Sequence, residues 1–251
     1  VVQTLDNHPS TVCKCRWAGR NQDTNLDDEF KLQLASGDDK GNVMVWSVVE
    51  GLAELHLTDT PASAVLDLMW HTRQSHLLLT LRAPNILALW DTQKGQIVWR
   101  RAFVKAEEVL TVAFNPFPTQ PASDLLFATK KGFIFSVADL NDPGEAVLKY
   151  KIAPPDQKSS FNAMTFSETS PGCVLFVLSR ELLIFDTRTQ HPVGGFALER
   201  GMSDLVSIAT SPGQSDLIWG LHEDGRVSVW QSVPPSVLVF NVQAVSAPLR
   251  F

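Results

Sequence analysis

The stretch Ala35-Ser36-Gly37-Asp38-Asp39-Lys40-Gly41-Asn42-Val43-Met44-Val45-Trp46 decides the fold. Its last four residues are apolar and β-favouring, and Asp39-Lys40-Gly41-Asn42 before them are residue types that close tight turns. The same strand with a terminal aromatic recurs as Leu87-Ala88-Leu89-Trp90, Phe133-Ile134-Phe135, Leu183-Ile184-Phe185 and Val227-Ser228-Val229-Trp230. The terminal aromatics lie 44, 45, 50 and 45 residues apart, so the repeat belongs to the whole chain.

Three further runs accompany each of these. One lies upstream (Val12 to Trp17, Val65 to Trp70, Val109 to Phe114, Phe161 to Phe166, Leu205 to Thr210), and a more continuously apolar one follows it, as in Asp124-Leu125-Leu126-Phe127-Ala128. A last run follows the aromatic: Leu52 to Leu57, Ile97 to Ala102, Ala146 to Ile152, Val193 to Leu198 and Val237 to Val242. No stretch of helical length has a 3.6-residue period. Four strands per unit of about 44 residues is the period of a β-propeller blade. Inner strands sandwiched between blades lose polar alternation. Outer strands keep charge at their open edge, as Arg100-Arg101, Lys149, Lys151 and Glu199-Arg200 do. The spacing therefore predicts an all-β propeller with five visible blades, at 8–57, 62–102, 107–152, 159–199 and 203–242. Val1 to Leu5 reads as the outer strand of another blade and 243–251 as the start of a further one. That reading implies at least six blades, with seven preferred, in a single domain over 1–251.

Composition narrows the function classes. Of 251 residues, 44% are hydrophobic and 19% charged, with 14 Gly and 15 Pro, which excludes a disordered, collagenous or coiled-coil chain. The formal net charge of −6 gives no overall attraction for nucleic acid or anionic lipid. Three cysteines, Cys13, Cys15 and Cys173, exclude a disulfide scaffold and fit a reducing compartment. The longest apolar run, Cys173 to Leu178, is far short of the roughly 20 residues that span a bilayer. Val1 to Leu5 lacks the basic start of a secretory leader.

Ala35 to Trp46 resembles the middle of a WD repeat, with Asn7-His8 where that repeat usually has Gly-His. The resemblance implies that His8, Ser36, Asp39 and Trp46 form the hydrogen-bonded tetrad that ties a blade together. It is a structural network of indole, hydroxyl, imidazole and carboxylate rather than a catalytic triad. Glu223 replaces the turn Asp in the fifth blade, and the second to fourth blades lack the tetrad. A closer resemblance rests on Leu78-Leu79-Thr80-Leu81-Arg82-Ala83-Pro84-Asn85, Leu89-Trp90-Asp91, Phe114-Asn115-Pro116-Phe117, Ser179-Arg180-Glu181-Leu182-Leu183-Ile184 and Leu221-His222-Glu223-Asp224-Gly225. In this order they are similar to the N-terminal propeller of the WD repeat-containing protein 11 family, over roughly Val1 to Trp230. The resemblance implies a non-catalytic scaffold that works with a protein of the family with sequence similarity 91. Together these capture endosome-derived vesicles at the trans-Golgi network, with roles in cilium formation and Hedgehog signalling. The implied address is the cytoplasm, at the trans-Golgi network and its vesicles, with the cilium base and nucleus as further places.

No catalytic, cofactor or metal site is expected. Cys13-x-Cys15 has no second Cys/His pair to complete a zinc set, and no Gly-x-Gly-x-x-Gly or phosphate loop occurs. The acidic runs Asp27-Asp28-Glu29 and Glu107-Glu108 read as solvated loops, and nucleic acid is not an expected partner. Membrane association is expected through partners alone. One motif supports a rival reading. Phe185-Asp186-Thr187-Arg188 resembles the aromatic-Asp-x-Arg box of propellers that serve cullin–RING ubiquitin ligases, which makes Asp186 and Arg188 candidate adaptor-binding residues. The plain alternative is that Asp186 caps a turn.

Overall fold

The computed structural model describes residues 4–19, 32–104, 107–117, 124–152, 160–167, 170–211, 214–231 and 237–243. They hold five four-stranded sheets, each with its strands side by side in chain order. Blade 1 is β1 (Val12–Trp17), β2 (Gln33–Asp38), β3 (Val43–Ser47) and β4 (Leu52–Leu57). Blade 2 is β5 (Val65–Trp70), β6 (Leu77–Arg82), β7 (Ile86–Asp91) and β8 (Gln96–Arg101). Blade 3 is β9 (Val109–Phe114), β10 (Leu125–Thr129), β11 (Phe133–Val137) and β12 (Val147–Lys151). Blade 4 is β13 (Phe161–Phe166), β14 (Cys173–Leu178), β15 (Glu181–Asp186) and β16 (His191–Ala197). Blade 5 is β17 (Leu205–Ser211), β18 (Gln214–His222), β19 (Arg226–Gln231) and β20 (Val237–Gln243).

Of the proposed outer strand at Val1 to Leu5, residues 1–3 lie outside the described ones, and Thr4 and Leu5 are not in a strand. Five is therefore the number of blades among the described residues. The further blade expected from 243 onward falls almost wholly outside them, as do residues 20–31 and 153–159.

Local chemistry fixes the hairpins. β2 turns into β3 through Gly41 at φ 90°, and β10 into β11 through Gly132 at φ 78°, left-handed values that cost glycine little. A Cβ on Gly132 would stand 2.1 Å from the carbonyl oxygen of Ile152. β6 is buried along its whole length, whereas β4, β8 and β12 alternate or face solvent.

The chain divides into two compact units, 1–114 with 141–145, and 115–140 with 146–251. In the first, Ala35, Val45, Leu68, Trp70, Leu78 and Trp90 pack as one buried cluster. The Trp70 indole N–H donates to the Arg16 carbonyl at 3.1 Å, and the Arg16 guanidinium meets the Asp67 carboxylate at 3.2 Å, joining blade 1 to blade 2. Burial pushes the Asp67 carboxyl up, and Arg16 opposes that shift. In the second unit Leu175, Val177, Leu182, Leu205, Ile218 and Trp230 form the core. Phe196 stacks on Trp230 at 4.4 Å, and a Cβ on Gly220 would stand 2.4 Å from that ring.

One strand breaks the burial pattern. Trp70, Phe114 and Phe166, which end the inner strands β5, β9 and β13, are 5%, 3% and 5% exposed. Trp17, at the same place on β1, is 57% exposed, and Val12 at the other end of that strand is exposed as well.

Candidate functional site

The polar network of blade 1 grows from strand alternation. Ser36 and Asp38 are two apart on β2 and so lie on one face, while Asp39 is the first residue of the turn. Trp46 donates its indole N–H to Ser36 Oγ at 2.7 Å. His8 Nε2 is 2.6 Å from the same hydroxyl, and His8 Nδ1 is 3.4 Å from Asp38 Oδ2. The tautomer that satisfies all three donates Nδ1–H to Asp38 and accepts the Ser36 hydroxyl proton at Nε2. Asp38 also accepts the backbone N–H groups of Lys40 and Asn42, at 3.0 and 2.7 Å, and the Asn42 amide at 2.8 Å. Burial by itself would raise the Asp38 carboxyl, but the bonds from Asn42, His8 and Lys40 prevail and hold it below the usual carboxylate range.

The carboxylate of this network is thus Asp38, which corrects the expectation of Asp39. Asp39 is exposed and takes a hydrogen bond from Ser10 Oγ instead. A residue in the turn points to solvent, whereas the last strand residue, on the Ser36 face, points inward. The order hydroxyl, imidazole, carboxylate is that of a nucleophilic triad, yet its surroundings are not. Ser36 is 3% exposed and its oxygen is occupied by the Trp46 N–H, so a substrate carbonyl has no approach to it. His8→Ala or Trp46→Phe leaves buried polar groups unpaired and is expected to cost about 1–3 kcal/mol of stability, read from denaturant unfolding.

Other blades keep fragments. In blade 2 the Trp90 indole donates to Thr80 Oγ1 at 3.2 Å, so half of the device survives in a blade that lacks the full tetrad. In blade 5 a histidine takes the place of Asp38. His222 Nε2 is 2.6 Å from Ser228 Oγ and Nδ1 is 2.9 Å from the Ser203 carbonyl. Blade 4 replaces the polar pair by Phe176 against Phe185, ring centroids 5.8 Å apart.

Asp186 and Arg188 lie at the end of β15. Asp186 Oδ1 accepts the backbone N–H of Arg188 at 2.8 Å and of Thr189 at 3.4 Å, and the Arg188 guanidinium returns to the same carboxylate at 3.1 Å through Nη2. Arg188's side-chain and backbone bonds hold the Asp186 carboxyl low. Blade 2 builds the same turn: Asp91 Oδ1 accepts from the backbone of Gln93 and Lys94, and Lys94 Nζ is 2.9 Å from Asp91 Oδ2. Thr92 and Thr187 complete the likeness, each donating its hydroxyl to a carbonyl across the turn, that of His76 or Gly172. A turn cap present in two blades accounts for the box. The Arg188 side chain nonetheless stays 72% exposed.

A second set of caps was not legible in the sequence. His71, Asn115 and Ser167 each follow the aromatic that ends an inner strand, and each side chain accepts backbone N–H groups of the next turn. His71 Nδ1 takes Arg73 at 3.1 Å and Gln74 at 2.9 Å, Asn115 Oδ1 takes Phe117 at 3.0 Å, and Ser167 Oγ takes Ser170 at 3.1 Å. Their shared position after Trp70, Phe114 and Phe166 is the signal that finds them. Among the described residues no group of three or more His, Cys, Asp or Glu is arranged to hold a metal ion.

The chain is 27% identical to WD repeat-containing protein 11 of Danio rerio, over 94% of its own length and 22% of that protein. It is likewise 27% identical to the Homo sapiens protein of that name, over 91% and 21%. It therefore spans about a fifth of the length of these curated relatives. A more distant relative is histone acetyltransferase type B subunit 2 of Candida glabrata, 22% identical over 80% of this chain and 50% of that protein. The solved WD40 domain of Toxoplasma gondii coronin matches the fold with a TM-score of 0.62 at 18% identity, covering 86% of this chain and 55% of that one. The family model described as WDR11 first beta-propeller matches residues 7–159, more than half of the chain, and the chain belongs to that family.

Proposed function

We propose that the chain is a non-catalytic protein-interaction platform in a complex that captures endosome-derived vesicles at the trans-Golgi network. Its expected partner is a protein of the family with sequence similarity 91, and the roles in cilium formation and Hedgehog signalling travel with that assignment. The observation that supports the reading is the match to the WDR11 first beta-propeller family over residues 7–159. The polar groups described above are spent on holding turns and blades. No helix among the described residues is long and apolar enough to cross a membrane, and the proposed route to vesicles is through partners.

The test is return of an endosome-to-Golgi cargo in cells lacking the protein. We expect return to fail and to be restored by the wild type. Normal return without the protein, with no association with the related partner, overturns the reading. A ligase-adaptor role has one observation in its favour, the open guanidinium of Arg188. On the present reading the wild type captures no cullin adaptor. Robust capture that Arg188→Ala abolishes would put the ligase role in its place.

A further inference from the structure

The outer strand of blade 3, β12, reads Val147-Leu148-Lys149-Tyr150-Lys151, and Val147 and Leu148 are 55% and 51% exposed. Charge on the open edge of an outer strand guards against pairing with another chain, and Lys149 and Lys151 suffice for that. Two adjacent aliphatic side chains left in water do not serve that purpose. Beside the lysines they fit a surface that takes apolar groups and cations together.

The strand register places these groups. Leu148 is opposite Phe135 and Lys151 opposite Phe133, so both stand on the face that these two half-buried rings line. Val147, opposite Ser136, stands on the other face, and the two aliphatic groups therefore flank the open edge. Lys149 is the extra residue of a bulge. Lys151 Nζ lies 5.0 Å from the centre of the Phe133 ring, so its stem covers apolar surface. Neither Lys149 nor Lys151 has a carboxylate partner among the described residues. The exposed Lys131 joins them, because the N–H of Ile152 donates to the Gly132 carbonyl at 2.9 Å and ties the β10–β11 turn to the end of β12.

The acidic groups of this blade lie elsewhere. Glu107 and Glu108 precede β9, at the opposite edge of the sheet. Asp139, Asp142 and Glu145 lie in the connection from β11 to β12, beyond the Val147 end of the strand.

We propose that this corner of blade 3 docks edge-on against an anionic lipid surface. Val147 and Leu148 enter the headgroup boundary, and Lys131, Lys149 and Lys151 meet the lipid phosphates and carboxylates. A nucleic acid or an acidic peptide would match the lysines alone, whereas a bilayer surface matches both kinds of group. Each lysine close to such a surface improves partitioning by about fivefold, so the contact adds to recruitment by partners and does not replace it. It departs from the expectation that membranes are reached through partners alone, and it does not depend on the vesicle-capture reading.

The test is co-sedimentation of the purified chain with vesicles of phosphatidylcholine, alone or with about one-third phosphatidylserine, in about 0.1 M and about 0.5 M salt. The wild type is expected to partition at least about 25-fold better onto the anionic vesicles at low salt and to lose most of that gain at high salt. Lys149→Gln/Lys151→Gln loses the gain, whereas Lys40→Gln/Lys94→Gln, with the same change in net charge, keeps it. Val147→Ser/Leu148→Ser keeps the salt dependence and binds several-fold more weakly. Melting temperatures establish that each variant is folded. Equal partition of the wild type onto the two kinds of vesicle, or equal binding by the two lysine variants, overturns the proposal. So does a gain that Val147→Ser/Leu148→Ser leaves unchanged, since the lysines would then serve a soluble polyanion.

Discussion

Replacing Asp38 by Ala is expected to lower the stability of the protein by about 3–5 kcal/mol, because one deletion removes the shared acceptor of several part-buried donors at once. The Asn42 amide, the backbone N–H groups of Lys40 and Asn42, and His8 Nδ1 all lose the acceptor that the buried Asp38 provides. Asp39→Ala removes an exposed carboxylate paired with Ser10 and is expected to leave the melting temperature essentially unchanged. Equilibrium urea unfolding of the two variants side by side is the check. Equal effects would return the network's carboxylate to the turn.

Acid is expected to weaken the fold through His71. Its ring is buried, and burial, helped by Arg73 and His76, pulls its pKa from 6.5 down to about 4. The neutral ring is the form that accepts Arg73 and Gln74 N–H at Nδ1, so the folded state resists protonation while the unfolded chain takes the proton near 6.5. The contribution is therefore complete above pH 6.5, declines as pH falls, and is gone below about 4. A shift of that size corresponds to about 3 kcal/mol. His71→Asn keeps an acceptor at the cap, as Asn115 does at the matching place in blade 3, and cannot titrate there. Stability measured from pH 7.5 to 4 should fall less steeply in His71→Asn than in the wild type. Parallel slopes would mean that the histidine is not what acid attacks.

The blade framework is legible in the sequence because its causes are local. A strand of period two, a turn glycine and a terminal aromatic recur together, and β1, β5, β9 and β13 begin and end where those patterns do. The family pattern also brings His8, Ser36 and Trp46 together on paper, but it does not separate two adjacent aspartates. Strand alternation does, since Ser36 and Asp38 share a face and Asp39 has left the strand. Arg82 escapes a reading of residue types, which places an arginine at a strand end in solvent. The fold buries it beside Gly41, a residue about 40 positions away in the chain. The caps at His71, Asn115 and Ser167 share a position and a job but no residue type, so a motif search passes over them. Asp186-x-Arg188 reads in the sequence both as a recognition box and as a turn cap, and the Asp91 turn in blade 2 shows the cap geometry without an Arg.

The central claim is that this propeller binds a protein partner. Calorimetric titration of the purified chain with a purified protein of the family with sequence similarity 91 tests it most directly. Saturable binding to the wild type is expected. Asp39→Ala should bind like the wild type. Absence of heat at any accessible concentration would contradict it.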